Sequence, residues 1–121
     1  MDMQPTARQQ KLVKKARELA LDCFAPRAAD YDRDARFPFE DYADMRDAGF
    51  LALCIPEEYG GLGADLETYC LVSEQLAQGN ASTALTYNMH CLTMLMMGEM
   101  ADVHEMSDEK RARHGELRAV N

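Results

Sequence analysis

Arg46-Asp47-Ala48-Gly49-Phe50, then Ile55-Pro56-Glu57-Glu58-Tyr59-Gly60-Gly61-Leu62-Gly63, ending on Asp65, is the stretch on which the reading of this chain turns. Gly49 closes a helical pattern set by Tyr42, Met45 and Ala48, where a residue at positive φ caps the last carbonyls, and glycine takes that conformation without steric cost. A helix therefore stops here. Leu51 to Ile55 is too apolar for a solvent loop, and Pro56 bars it from a central strand, so it reads as a buried linker. Gly60, Gly61 and Gly63 allow a tight turn around Leu62, and Asp65 is placed to accept from the first amides of the next helix. These glycines do not read as a phosphate cradle. No third glycine stands at dinucleotide spacing, no Gly-Lys-Ser/Thr follows, and Glu57, Glu58 and Asp65 would repel an anion.

Working outward, the periodicity predicts an all-α fold, about five helices around a central apolar helix. The first spans about Thr6 to Ala29, with Leu12, Val13, Ala16, Leu19, Ala20, Cys23 and Phe24 in one stripe. Pro26 is expected to kink or end it, because proline removes an amide donor and crowds the turn before it. Asp30 to Arg36 reads as a charged connector, and Pro38 as the first-turn residue of a second helix, Pro38 to Ala48. A third covers Leu66 to Gln78 with Leu66, Tyr69, Val72 and Leu76 inward, and Asn80 is the expected cap of the fourth, Ala81 to Met97. From Gln75 to Gly98 there is no formally charged side chain, and apolar positions run nearly all the way round, which predicts burial on most faces. Ser82, Thr83, Thr86, Asn88, His90 and Thr93 spread polarity along this segment and argue against a membrane span. A short fifth helix is expected from Ser107 to about His114, ended by Gly115, with Leu117 to Asn121 extended.

At 121 residues the chain has room for one domain and a modest core. Its net charge is −8, and residues 30–79 carry twelve acidic against three basic side chains, which argues against a nucleic-acid partner. Cys23, Cys54, Cys70 and Cys91 form no Cys-x-x-Cys pair and sit among apolar neighbours, so they read as small hydrophobes in a reducing, cytoplasmic setting. The basic start, Arg8 to Arg17, is not serine-rich and runs straight into the first helix, unlike a cleaved leader. His90, between Met89 and Cys91, reads as a hydrogen-bonded core histidine. His104 with Glu105, and His114 with Glu116, lack the i, i+4 histidine spacing of a helical zinc motif, so no metal is expected. Asp30, Asp32, Asp34, Asp41, Asp44 and Asp47 lack the glycine and terminal glutamate of a calcium loop and read as solvated faces. Met89, Met94, Met96, Met97 and Met100 are either core gap-fillers or a pliable wall for an aliphatic ligand.

With these residues placed, the chain resembles the N-terminal helical domain of the acyl-CoA dehydrogenases. Phe37-Pro38, Ala48-Gly49-Phe50, Ile55 to Gly63 and Glu74-Gln75-Leu76-Ala77 stand in family order. The likeness is strong from Phe37 to Gly79, fair from Leu12 to Arg36 and from Asn80 to Leu92, and fades after Met97. It implies a segment, residues 1–121, of an FAD-dependent oxidoreductase that desaturates acyl-CoA thioesters between Cα and Cβ and passes electrons to an electron-transfer flavoprotein. The same resemblance implies a middle β-domain and a C-terminal helical domain that this chain lacks, homo-oligomers of the full-length enzyme, and no activity of this segment alone. No residue here is assigned as catalytic base or as FAD ligand. The resemblance places Leu85, Asn88 and Leu92 as substrate-binding wall of the acyl-chain slot, with Thr86 and Met89 as weaker candidates; Asn88 departs from a purely apolar lining.

Two other readings keep the same residues. Flavin monooxygenases and nitroalkane oxidases share this architecture, and a free-standing helical interaction module would need no cofactor at all. The enzyme readings predict that one side of the fourth helix lacks its covering polypeptide, leaving an apolar patch, whereas the module predicts that helix wrapped by its own companions.

Overall fold

A computed structural model describes residues 4–119, with the backbone alone for residues 101–103. The first helical rod begins at a capping box: the Gln9 amide donates to Thr6 Oγ1 (3.2 Å) while the Thr6 amide donates to Gln9 Oε1 (2.8 Å). It comprises α1 (Ala7–Leu19), a π-helical turn (Ala20–Phe24) and α2 (Ala25–Asp34) without a break. The expected stop near Ala29 and the charged connector from Asp30 are therefore corrected. The π turn, closed by the Ala25 amide donating to the Ala20 carbonyl, widens the backbone ahead of Pro26. The pyrrolidine ring is thus accommodated without breaking the rod. The rod ends at Ala35, in the left-handed region at φ 48°.

Pro38 caps α3 (Phe39–Asp47) and Gly49 follows at φ 82°, as its position after the helical pattern requires. The segment after it contains a short 3-10 turn, Phe50–Ala52, and buries Leu53 and Cys54. Its backbone is satisfied by the glycine turn folding back over it. Leu62, Gly63 and Ala64 amides donate to the carbonyls of Ala52, Ile55 and Leu53 at 2.8–3.0 Å. That return brings the backbones so close that a Cβ on Gly61 would lie 2.0 Å from the Ile55 carbonyl oxygen.

α4 (Leu66–Gly79) starts at Asp65, whose carboxylate accepts from the Thr68 amide at 2.9 Å. α5 (Ala81–Val103) follows after the single residue Asn80, whose Oδ1 accepts from the Ser82 and Thr83 amides. The two helices form an antiparallel hairpin, and α4 also packs along α1. The core gathers Ala16 and Phe24 from the first rod, Met45 from α3, Phe50 and Leu53 from the linker, Val72 and Leu76 from α4, and Tyr87 and Cys91 from α5. No helix of the described residues is long and apolar enough to cross a membrane.

The structure corrects the sequence reading at several places. Leu66 is not inward but 56% exposed: α1 meets this first turn of α4 at Thr68, through the Gln9 Nε2 bond of 3.1 Å, and leaves Leu66 uncovered. α5 continues past Met97 and Gly98, since a glycine inside a helix is tolerated and here leaves room for the Arg118 guanidinium. α6 (Asp108–Arg118) passes through Gly115, which packs under the Tyr59 ring, so Leu117 and Arg118 are helical rather than extended; Val120 and Asn121 lie outside the described residues. Arg118 stacks over Tyr59 at 4.8 Å. Cys70 is exposed, unlike Cys54 and Cys91. Asp41 is fully buried, not a solvated acid.

Candidate functional site

α5 has two unlike sides. Thr83, Ala84, Tyr87 and Cys91 are buried against the other helices, while Leu85, Met89, Met96 and Met100 are 53–67% exposed. The latter recur at steps of four and seven and therefore share one face. The expected burial on most faces is corrected: the chain covers only half of this helix. Isolated exposed apolar side chains are ordinary on a surface, but four large ones aligned on one face form a patch of the kind that marks a binding or packing surface.

Where α5 meets the start of α4, the patch dips into a groove of about 280 Å³ lined by Leu66, Leu92, Leu95 and Met96, with Asp65 and Glu99 also on its walls. Of the residues expected to line a slot, Leu92 forms part of this groove and Leu85 stands out on the exposed face two turns toward the helix start. Asn88 lies at the edge toward α4, half-buried, with its Oδ1 accepting from the Tyr69 hydroxyl. Burial pushes the Tyr69 hydroxyl up from its ordinary range, so it remains a donor. Thr86 is committed to its own surroundings, donating to the Thr83 carbonyl (3.0 Å) and accepting from Tyr42 (2.8 Å). Met89 belongs to the open face.

The back of α5 is held rigidly. The buried Tyr87 hydroxyl donates to the Phe50 carbonyl at 2.7 Å, and His90 Nε2 lies 2.6 Å from the Leu51 carbonyl, a contact that requires the proton on Nε2. Both bonds tie α5 to the linker that the Gly49 and Gly60–Gly63 turns position. Near the start of α5, Asp41 Oδ2 accepts from Thr83 Oγ1 at 2.8 Å, and Asp41 Oδ1 lies 3.0 Å from Arg27, which also binds Asp44. Burial raises the Asp41 carboxyl above the usual range, against the opposing pull of Thr83 and Arg27. Sequence reasoning missed this cluster. The available signal was the four-residue step from Asp41 to Met45, which puts the acid on the core face of α3.

A larger cleft of about 460 Å³ lies between Arg8, Pro56, Gly63, Gly98 and Arg118. Its charged walls, with the Arg8–Glu57 pair at 2.6 Å, suit an aliphatic chain less well than the α4–α5 groove. Among the described residues no group of three or more His, Cys, Asp or Glu side chains comes together to hold a metal ion.

A family model described as the acyl-CoA dehydrogenase N-terminal domain matches residues 6–106. The chain belongs to the acyl-CoA dehydrogenase family. Among individual relatives, the probable acyl-CoA dehydrogenase fadE25 of Mycobacterium leprae is 49% identical over 69 residues, covering 57% of this chain and 18% of that protein. The cyclohex-1-ene-1-carbonyl-CoA dehydrogenase of Syntrophus aciditrophicus is 39% identical over 80 residues, covering 66% of this chain and 19% of that protein. The crystal structure of a nitrososynthase from Micromonospora carbonacea var. africana matches with a TM-score of 0.81 at 25% identity, covering 94% of this chain and 28% of that one. The chain thus spans about a fifth of the length of the curated relatives it matches.

Proposed function

We propose that this chain is the N-terminal helical segment of an FAD-dependent acyl-CoA dehydrogenase, and that the open face of α5 forms one wall of its acyl-chain slot. The observation that carries this reading is the aligned row of Leu85, Met89, Met96 and Met100, exposed on a helix whose opposite side is anchored by Tyr87 and His90. An apolar wall of flexible methionine side chains suits a saturated chain of variable shape. When bound, FAD supplies the hydride acceptor for desaturation. Among the described residues, the hydroxyls on the open side of α5, Thr86 and Thr93, are spent on the helix's own Thr83 and Met89 carbonyls rather than offered to a flavin. We therefore assign the flavin and the base to further polypeptide, and to this segment the tasks of binding the chain, orienting it and excluding water. Acyl-CoA is the proposed substrate, an electron-transfer flavoprotein the proposed acceptor, a homo-oligomer the proposed assembly, and the cytoplasm, on the unpaired cysteines, the proposed setting.

The test is made on the full-length protein that contains this segment. Flavin absorbance together with dye-coupled oxidation of an acyl-CoA thioester is the expected result; a colourless protein inert toward acyl-CoA would reject it. A second reading, monooxygenase-type flavin chemistry on the same helical frame, draws support from the structural likeness to a nitrososynthase. It predicts oxygen consumption coupled to a non-thioester substrate in the same assay.

A further inference from the structure

Resting on the acyl-slot reading of the open α5 face, we infer that the Asn88 carboxamide presents its Nδ2 hydrogens to the slot as a fixed donor, selecting acyl groups that carry an acceptor oxygen over plain hydrocarbon chains. The orientation of the amide follows from its partners. Tyr69 is buried and donates its hydroxyl proton to Asn88 Oδ1. A phenol carries a single proton, and here it is spent on Asn88. The Asn88 oxygen is therefore held toward Tyr69, and the NH2 group is turned away from it. Among the described residues no acceptor takes up that NH2 group, and Asn88 keeps part of its surface open to solvent.

Position gives the donor its consequence. Leu85 lies three residues before Asn88 and Leu92 four after, so the NH2 group interrupts an apolar row at its edge toward the groove. A saturated chain laid along this row would strip water from the amide and return nothing, whereas a carbonyl, hydroxyl or carboxylate oxygen at that depth would replace the water. Asn88 is thus a specificity residue and Tyr69 the residue that positions it. Chemistry at the thioester end is not involved.

The experiment uses the full-length flavoprotein and a set of equal-length acyl-CoA thioesters, one saturated and the others with a single keto oxygen at successive positions beyond the β-carbon. The wild-type protein is expected to favour at least one keto chain in kcat/KM by about tenfold or more. Asn88→Leu should reverse that preference toward the saturated chain with unchanged flavin content. Asn88→Asp, which keeps the acceptor for Tyr69 and loses the donor, should also abolish it. Tyr69→Phe should weaken the preference with unchanged flavin content. Equal preference in wild type and Asn88→Leu overturns the inference, as does a wild-type preference for the saturated chain. Failure of every acyl-CoA to react in the wild type instead rejects the dehydrogenase reading beneath it.

Discussion

Gly79 crosses Ala20 so closely that a methyl group on Gly79 would sit 2.3 Å from the Ala20 carbonyl oxygen and 2.7 Å from its Cα. The contact is where α4 passes over the π turn, and both partners are main chain, so neither can swing aside. Gly79→Ala is therefore expected to cost about 2–3 kcal/mol in urea unfolding. Gly98→Ala is the contrast. Its nearest obstacle is the tip of Arg118 at 2.8 Å, a flexible side chain, and alanine is the better helix former, so the variant should lie within about 1 kcal/mol of wild type. Equal losses in the two would refute this account of the crossing.

Asp41 and Arg27 form a pair in which the acid has no access to water. Removing the acid leaves Arg27 with Asp44 alone and the Thr83 hydroxyl without its acceptor, so Asp41→Ala should cost about 3 kcal/mol. Asp41→Asn keeps an acceptor for Thr83 and should cost less. The pH dependence has a definite sign: burial raises the folded pKa, so the penalty for ionised Asp41 is full at high pH and is relieved as pH falls through that pKa toward the unfolded value. Because the wild type alone loses stability as this group ionises, the gap between it and Asp41→Asn should narrow with rising pH, and parallel curves would contradict the assignment.

Glu40 behaves in the opposite way. Its own amide, the Tyr31 hydroxyl at 2.8 Å and Arg36 at 3.0 Å hold its carboxyl down to about 2. The stabilisation it contributes is complete above the ordinary glutamate range and disappears as pH falls toward 2. Tyr31→Phe should raise the Glu40 midpoint in a carboxyl NMR titration; an unmoved midpoint would show that the hydroxyl does not reach it.

Tyr87→Phe removes the only side-chain bond made to the buried Phe50 carbonyl among the described residues, without opening a cavity. A loss of about 1–2 kcal/mol is expected in thermal or urea unfolding. A neutral outcome would mean that water reaches the carbonyl in its place.

The exposed row on α5 should respond differently. Met89→Gln and Met96→Gln replace surface methionines with polar side chains of similar length, so unfolding midpoints should shift by less than about 0.5 kcal/mol. Self-association of the isolated chain, followed by sedimentation velocity, should fall. Unchanged association would place the sticky surface elsewhere.

Much of this architecture was legible in the residues because it is decided within a few positions of chain. The caps at Asp65 and Asn80, the positive φ at Gly49 and the return around Leu62 all follow from local bonding and local sterics, and the family resemblance was readable from the same short strings. Most of the long charge-free stretch was readable as a single long helix, α5. Other features depend on partners distant in sequence. Whether Pro26 breaks the rod was settled by the π turn under Gly79, whether Asp41 is solvated by its neighbours Arg27 and Thr83, and which half of α5 stays open by where α1, α4 and the linker run out of surface to cover it. Asn88 shows the division most clearly: its place on the helix is a matter of counting, but the direction of its amide is set by Tyr69, nineteen residues away along the chain and adjacent only after α4 and α5 have packed. Dihedral preferences and caps act over one or two turns, whereas burial and hydrogen-bond partnership exist only once separate helices have met.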